Sequence, residues 1–392
     1  MVKGRKQEPR PLKKEIKKAP VAKDIAVALP QKSIEKSVDE KSQVRLPISK
    51  IHIYDDAPLL SIKDVSKSYR GKQILSGVSF DIQYKDIFGL IGMSGSGKTT
   101  LFQMLIGFSR ADSGDITVQK AALERHRKDV LPAKGAVSVF KVKNLLQKRF
   151  GFASQLPSFY EHLTVEENIA FFGSLYGMPS KLIKENREKL LELTGLTKER
   201  DVLASQLSGG MQRRLDIACA LVHNPRVLLL DEPTSDLDPI IRRQIWSLIK
   251  NINDQGTTVI VSSHILEEVE HLCTKIAILH DKRILGYGSL EELKELFSDK
   301  QEVHIRSRPG DYDRIVEQLR KEKVNIESFV KQDGSLVVFL PKGEDVLQKV
   351  VRAVERSKEK VSSLDVNETT LTEIFVMLTD KKRRPDVDLP KL

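Results

Sequence analysis

Cysteine is nearly missing from this sequence: Cys219 and Cys273 are the two present among 392 residues. A disulfide framework is thereby excluded. Neither cysteine stands in a metal-ligand or redox spacing, so both are expected as small core residues of a protein in a reducing compartment. Long apolar runs are missing too. Runs such as 227–230 and 259–261 have the length of buried strands. They fall far short of the roughly 18 consecutive apolar residues that cross a bilayer. The chain is therefore expected not to span a membrane by itself. A basic start with no apolar stretch behind it argues against a secretory signal.

Charge is abundant but unevenly placed. Lys and Arg number 65 against 54 Asp and Glu, a net charge of +11. Residues 1–50 hold 14 of those bases and 6 of those acids, a surplus of eight that leaves three for all the rest. Residues 1–57 are Lys-rich, Pro-punctuated and nearly free of aromatics, too little apolar surface to offset the entropy of ordering. They are expected as a solvated, disordered extension, with an electrostatic tether to an anionic membrane surface as the sharper reading. Nucleic acid is disfavoured as a partner, because no aromatics interleave with these Lys and Arg residues to stack on bases.

Beyond this tail the texture changes. Residues 60–66 and 77–82 alternate apolar and polar positions, as antiparallel strands with one solvated face do. Residues 87–91 are a continuous apolar run that ends in glycines and leads into a helical pattern over 99–107. Strand patterns recur at 227–230, 257–261 and 275–279 with helical stretches between, which predicts a parallel sheet covered on both faces. Residues 165–222 read as almost wholly helical. A second unit follows: strand 301–306, helix 311–323, strands 326–330 and 336–340 around Asp333-Gly334, helix 344–358 and strand 361–366. That is the βαββαβ order of a ferredoxin-like unit, closed by a helix over 370–378.

Three motifs carry chemistry. Gly92-Met93-Ser94-Gly95-Ser96-Gly97-Lys98-Thr99, set between strand and helix, has the P-loop pattern. Its glycines let successive N–H groups converge on phosphate oxygens, and the helix N-terminus adds a favourable dipole. Lys98 is expected to reach the β- and γ-phosphates of a nucleotide, and the Thr99 hydroxyl to complete a magnesium site. At 227–232 an apolar strand ends in Asp231 and Glu232. Paired carboxylates end a buried strand where something positive or protic meets them. Asp231 is assigned to magnesium and Glu232 to the attacking water. Third, Leu207-Ser208-Gly209-Gly210-Met211-Gln212 opens a helix and makes a second anion site.

This last run resembles the signature of the ABC ATPases, and the likeness extends over about 59–379. The resemblance implies an α/β fold: a P-loop NTPase of ABC type with an antiparallel β subdomain and a helical subdomain (about 160–222), plus a small α+β, ferredoxin-like C-terminal domain. The limits so implied are an extension over 1–57, an ATPase domain over 58–298, a C-terminal domain over 299–380 and a polar tail over 381–392. It implies ATP and Mg2+ as cofactors. It also implies a sandwich of two ATPase subunits, homodimer or heterodimer, in which Ser208, Gly209, Gly210 and Gln212 contact the nucleotide on the other subunit's P-loop.

By the same resemblance Tyr69 stacks on adenine, and Gln155, with Thr99 and Asp231, joins the metal to the transmembrane interface. Residues 235–238 cross the dimer interface, with Asp238 at the nucleotide, and His264 contacts the γ-phosphate. The implied catalytic set is Glu232, His264, Lys98 and Gln155. The implied binding set adds Gly92, Ser94, Gly95, Ser96, Gly97 and Thr100.

Within the class the sequence is most similar to the drug-resistance and ABC-2-type exporter ATPases, through 215–239 and 366–375. The implied function is the ATP-hydrolysing motor of an exporter, peripheral on the cytoplasmic face of the cell membrane and driving a separate transmembrane permease subunit. The competing class is a soluble ABC ATPase that remodels a protein or nucleic-acid assembly. Pro157, Phe159, Tyr160 and Leu163 are candidates to line the groove that takes the permease. Two features depart from the family. A basic stretch around 121–148 is longer than usual and is expected as a surface excursion beside the nucleotide. Asp236 stands where a small residue is common, and is expected as a solvated loop acid. If the tail tethers the protein to lipid, deleting 1–57 lowers binding to anionic vesicles at low salt; unchanged binding would contradict the tether.

Overall fold

The computed structural model describes residues 57–123, 135–295, 300–326, 328–332, 334–341, 343–367 and 370–379. The expected N-terminal extension up to residue 56, the centre of the basic stretch (124–134) and the polar tail lie outside the described residues.

Strands β1 (Leu60–Tyr69) and β2 (Lys72–Ile82) pair antiparallel, Leu60 against Ile82, and bury Ile62, Val65, Val78 and Phe80. Strand β3 (Ile87–Ile91), buried at every position, runs into the glycine loop, and α1 (Lys98–Leu105) leaves it. Strand β4 (Ser113–Gln119) returns to pair with β1, and α2 (Lys120–Leu123), β5 (Ala136–Ser138) and α3 (Lys143–Gln147) follow. The stretch expected as a surface excursion is therefore partly built into the domain. β5 pairs with β4, and Leu123, Val139 and Leu146 are core residues. Scattered single apolar residues in a basic run leave no periodic trace, yet each fills a core position.

Strand β6 (Phe150–Ala153) leads to the helical region of α4 (Val165–Leu175), α5 (Ser180–Thr194) and α6 (Gly209–Leu221). A capping box starts α4: the Thr164 hydroxyl accepts the Glu167 N–H, and the Glu167 carboxylate accepts the Thr164 N–H. Asn168 is fully buried; it accepts the Tyr160 N–H and donates to the carbonyls of Tyr160, Leu163 and Thr164. Ser208 caps α6 by accepting the Met211 N–H.

The domain is completed by β7 (Val227–Asp231), α7 (Pro239–Asp254), β8 (Thr258–Ser263), α8 (Leu266–Leu272), β9 (Lys275–His280), β10 (Arg283–Gly288) and α9 (Leu290–Glu295). The main sheet has the order β10-β9-β3-β8-β7-β6 and is parallel except at the edge strand β10. A Cβ on Gly210 would lie 2.5 Å from Ile241 Cγ2, so α6 and α7 approach closely only because that position is glycine.

The C-terminal unit contains β11 (Lys300–Arg308), α10 (Tyr312–Lys321), β12 (Ser328–Gln332), β13 (Ser335–Pro341), α11 (Glu344–Arg356) and β14 (Lys360–Asn367). Its antiparallel sheet has the order β12-β13-β11-β14, the arrangement expected of a ferredoxin-like unit. Helices α10 and α11 cover one face through Ile315, Leu319, Val350 and Val354. The last helix, α12 (Leu371–Thr379), goes elsewhere. Leu371, Ile374 and Leu378 pack with Ile91, Val269, Ile276 and Leu293, and with Val337 and Phe339 of the small sheet. The Leu371 N–H donates to Glu270 at 2.8 Å. The unit is thus fastened to α8 and to the root of the glycine loop. Among the described residues no helix is long and apolar enough to cross a membrane.

Candidate nucleotide site

A parallel sheet covered by helices exposes polar groups at the C-terminal ends of its strands. Three neighbours, β3, β8 and β7, deliver the site there, with Ile91 level with Ser263 and Ser262 level with Asp231. Gly97 precedes α1 at φ 110°, a conformation that side chains rarely adopt, and offers no side-chain cap. The first N–H groups of α1 therefore have no intrahelical acceptor. Ser96 Oγ is buried without a hydrogen-bond partner, and a Cβ on Gly95 would meet nothing within 4 Å. An open, donor-lined cradle with an orphaned hydroxyl fits a polyphosphate.

Lys98 is 5% exposed; its Nζ donates to the Gly92 carbonyl at 2.8 Å and lies 3.1 Å from Glu232 Oε1. The other Glu232 oxygen lies 3.1 Å from His264 Nδ1. Three strand ends thus bring Lys98, Glu232 and His264 into one connected row. Glu232 adopts φ 47°. Such a conformation costs on the order of 1–3 kcal/mol and persists where surroundings hold it. Here the Glu232 N–H donates to Ser262 Oγ at 2.9 Å, and the same hydroxyl donates to Asp231 Oδ1 at 2.5 Å. Asp231 is buried, while Thr99 is exposed in the first turn of α1 and Thr100 lies beside it. The Thr99 hydroxyl and the Asp231 carboxylate are hard oxygen donors of the kind Mg2+ takes.

Other expected residues stand apart from that row. Tyr69 ends β1 and is 44% exposed, its hydroxyl 3.0 Å from Ser109 Oγ and Lys67 Nζ 5.2 Å from the ring centre. Gln155 follows β6 and lines a cavity of about 250 Å³ with Pro157, Gly209, Gln212 and Asp236. The signature at the start of α6 is therefore a neighbour of Gln155 and of the 235–238 loop. Asp238 caps α7, accepting the Ile240 and Ile241 N–H groups at 3.0 Å. Asp236 is exposed at φ 62°, a conformation that Asp tolerates, in keeping with a solvated loop acid. Phe159 corrects an expectation: it belongs to the core and does not line a groove. A lone aromatic within a turn gives no periodic sign of which way it faces.

Two buried charges that sequence reasoning passed over hold this arrangement. Arg213 joins α6 to the ends of β6 and β7. Glu268, on α8, is 3% exposed and accepts from Thr234 Oγ1 at 2.5 Å and from Ser263 Oγ at 2.9 Å, with Arg242 at 3.2 Å. It ties the segment after Glu232 to the residue before His264. Its spacing from Leu272 puts Glu268 on the apolar stripe of α8, a signal legible in the sequence.

Residues 75–235 match the family model described as ABC transporter, and residues 288–379 match that of the ATP-binding protein DrrA1-3-like, C-terminal domain. The Nod factor export ATP-binding protein I of Rhizobium sp. (strain N33) is 36% identical over 246 residues, 63% of this chain and 76% of that protein. The chain belongs to the ABC transporter ATP-binding family. The linearmycin resistance ATP-binding protein LnrL of Bacillus subtilis (strain 168) is 29% identical over 326 residues, 83% of this chain and 100% of that protein. Among solved structures, cbiO1 from Clostridium perfringens, part of the ABC transporter complex cbiONQ, matches with a TM-score of 0.53 at 26% identity. That match covers 62% of this chain and 91% of that one.

The expected ABC-type α/β fold and the resemblance to drug-resistance and export ATPases are thus borne out. As an ABC ATP-binding subunit, the protein binds ATP and hydrolyses it. Subunits of this family dimerise and pair with a transmembrane permease. The Glu268 contacts make a prediction. Glu268→Ala leaves Arg242 and two hydroxyls without their acceptor, and should lower stability by about 3 kcal/mol. Turnover should fall with it, as read by thermal unfolding and phosphate release.

Proposed function

We propose that this ABC subunit is the motor of an exporter, in which two ATPase subunits close around two ATP molecules and drive a separate permease. The observation that carries the reading is the division of the site. Lys98, Glu232 and His264 meet at the C-terminal ends of the central strands, whereas Gly209 and Gln212 of the signature line a cavity with Gln155 and the 235–238 loop of their own chain. A phosphate held at Lys98 then takes its second helix N-terminus from another subunit. The relatives' names, one of export and one of resistance, favour export over work on a soluble assembly.

On this reading the triphosphate seats on the glycine loop, over Gly92, Ser94, Gly95, Ser96 and Gly97 and the first N–H groups of α1, with Tyr69 offering its exposed ring to adenine. Lys98 exchanges Glu232 for a phosphate oxygen. Glu232, released, turns to the attacking water as base or polarising group, and His264 takes the γ-phosphate side. Mg2+, when bound by Thr99, Asp231 and Gln155, would neutralise charge on the β- and γ-phosphates. The partner's Ser208, Gly209, Gly210 and Gln212 complete the enclosure, and Asp238 fixes the loop that crosses between subunits by capping α7. Positioning and charge neutralisation supply most of the rate, as in other transfers of a phosphoryl group.

Coupling to the permease needs an exposed apolar surface beside Gln155. Leu156 is 78% exposed and Tyr160 51%, and the Tyr160 ring packs edge-on against Phe171 at 4.8 Å. We assign the permease contact to that patch, with the subunit on the cytoplasmic face of the membrane. Residues 58–298 form the motor, and 299–380 brace it through α12. Glu232→Gln should keep ATP binding, lose about 100-fold or more in turnover, and accumulate a closed dimer by size-exclusion chromatography. Wild-type turnover in that variant would remove Glu232 from its role.

A further inference from the structure

Arg213 has no part in the reading above, yet three carbonyls from two segments of the site share its guanidinium. It stands on α6 just past the signature glycines and is 9% exposed. Nη1 donates to the Ser154 carbonyl at 2.7 Å, Nε to the Pro233 carbonyl at 2.9 Å and Nη2 to the Asp231 carbonyl at 2.9 Å. Ser154 immediately precedes Gln155, and Asp231 and Pro233 bracket Glu232. Asp216 meets Nη1 at 3.2 Å and is itself held by the Ser158 N–H at 3.0 Å and the Ser158 hydroxyl at 2.6 Å.

Burial pushes the Asp216 carboxyl up and the Arg213 guanidinium down, in both cases ahead of the attraction between them. A buried ion pair is weak evidence for a role in stability. The fork of the guanidinium accounts for it better. Its nitrogens lie in one plane at fixed angles, so the carbonyls they bind are fixed relative to one another and to α6. A lysine ammonium in the same place cannot span all three.

We infer that Arg213 is a positioning residue that ties the signature helix to the Gln155 loop and the Glu232 turn of its own chain. A nucleotide on the partner, by seating on this chain's signature, then aligns this chain's own hydrolytic groups. The inference rests on the two-subunit reading proposed above. Without the fork, the signature can close on the partner's phosphate while Glu232 stays out of line. Arg213 is then the link through which one site of the dimer acts on the other.

The test uses the full chain with Arg213→Lys, which keeps the charge and loses the fork. Affinity is read with a fluorescent ATP analogue, and kcat, KM and the Hill coefficient are read from phosphate release. ATP affinity should stay within about twofold, because the glycine loop is untouched, while kcat falls about tenfold or more and the Hill coefficient drops toward one. Ser208→Arg serves as the control for the two-subunit reading. Wild-type turnover in Ser208→Arg would defeat that reading. Loss in Ser208→Arg with wild-type kcat and Hill coefficient in Arg213→Lys would defeat the positioning role alone. If Arg213→Lys does not fold, Asp216→Asn replaces it, since it keeps the shape and frees the guanidinium to swing. It should show the same loss of kcat at unchanged affinity in weaker form, and wild-type kinetics there would overturn the proposal.

Discussion

A buried ammonium has to be met by oxygen, and the arrangement of this molecule around Lys98 follows from that need. The Gly92 and Met93 carbonyls and the Glu232 carboxylate surround its Nζ. Each comes from the C-terminal end of a buried parallel strand or the loop it feeds. β8 lies between the two strands concerned and supplies Ser262, which fixes both Asp231 and the backbone of Glu232. The left-handed turn at Glu232 is what aims its carboxylate at both Lys98 and His264. On the proposed function, a phosphate that arrives at Lys98 replaces one anion by another, and Glu232 is released in the same exchange.

Around this row lie charges whose work is mechanical. Glu268 fastens α8 to the segment after Glu232, and α12 packs on the same helix, so the C-terminal unit bears on the segment that carries His264. Arg213 does the corresponding work on the other side, between α6 and the ends of β6 and β7. Neither charge need touch nucleotide to matter, because what each holds is backbone.

Much of this was legible in the sequence, and the reasons differ by element. The strands 87–91 and 227–231 announce themselves because burial on both faces leaves no polar residue until the strand ends, and the chemistry begins where the pattern breaks. The ferredoxin-like order was legible because its helices and strands change period cleanly, and Gly334 takes the turn conformation, φ 72°, that its position requires. What failed to register was non-local. β5 is three residues long and found only through its pairing with β4. Phe159 turns inward for reasons of packing, and α12 displays an apolar stripe that does not name its partner. Arg213 reads as a surface charge until the fold surrounds it, whereas the place of Glu268 on the apolar stripe of α8 already marked it.

The central claim is that one hydrolytic site is built from two chains, and cross-linking tests it most directly. Met93 is exposed on the rim of the glycine loop, and the native Cys219 is buried while Cys273 is largely so. A chain carrying Met93→Cys, Ser208→Cys and Glu232→Gln would be treated with a short bis-maleimide at increasing ATP. A covalent dimer that appears only with ATP is the predicted result. A chain that stays monomeric at every ATP concentration, or links only within itself, would contradict the account.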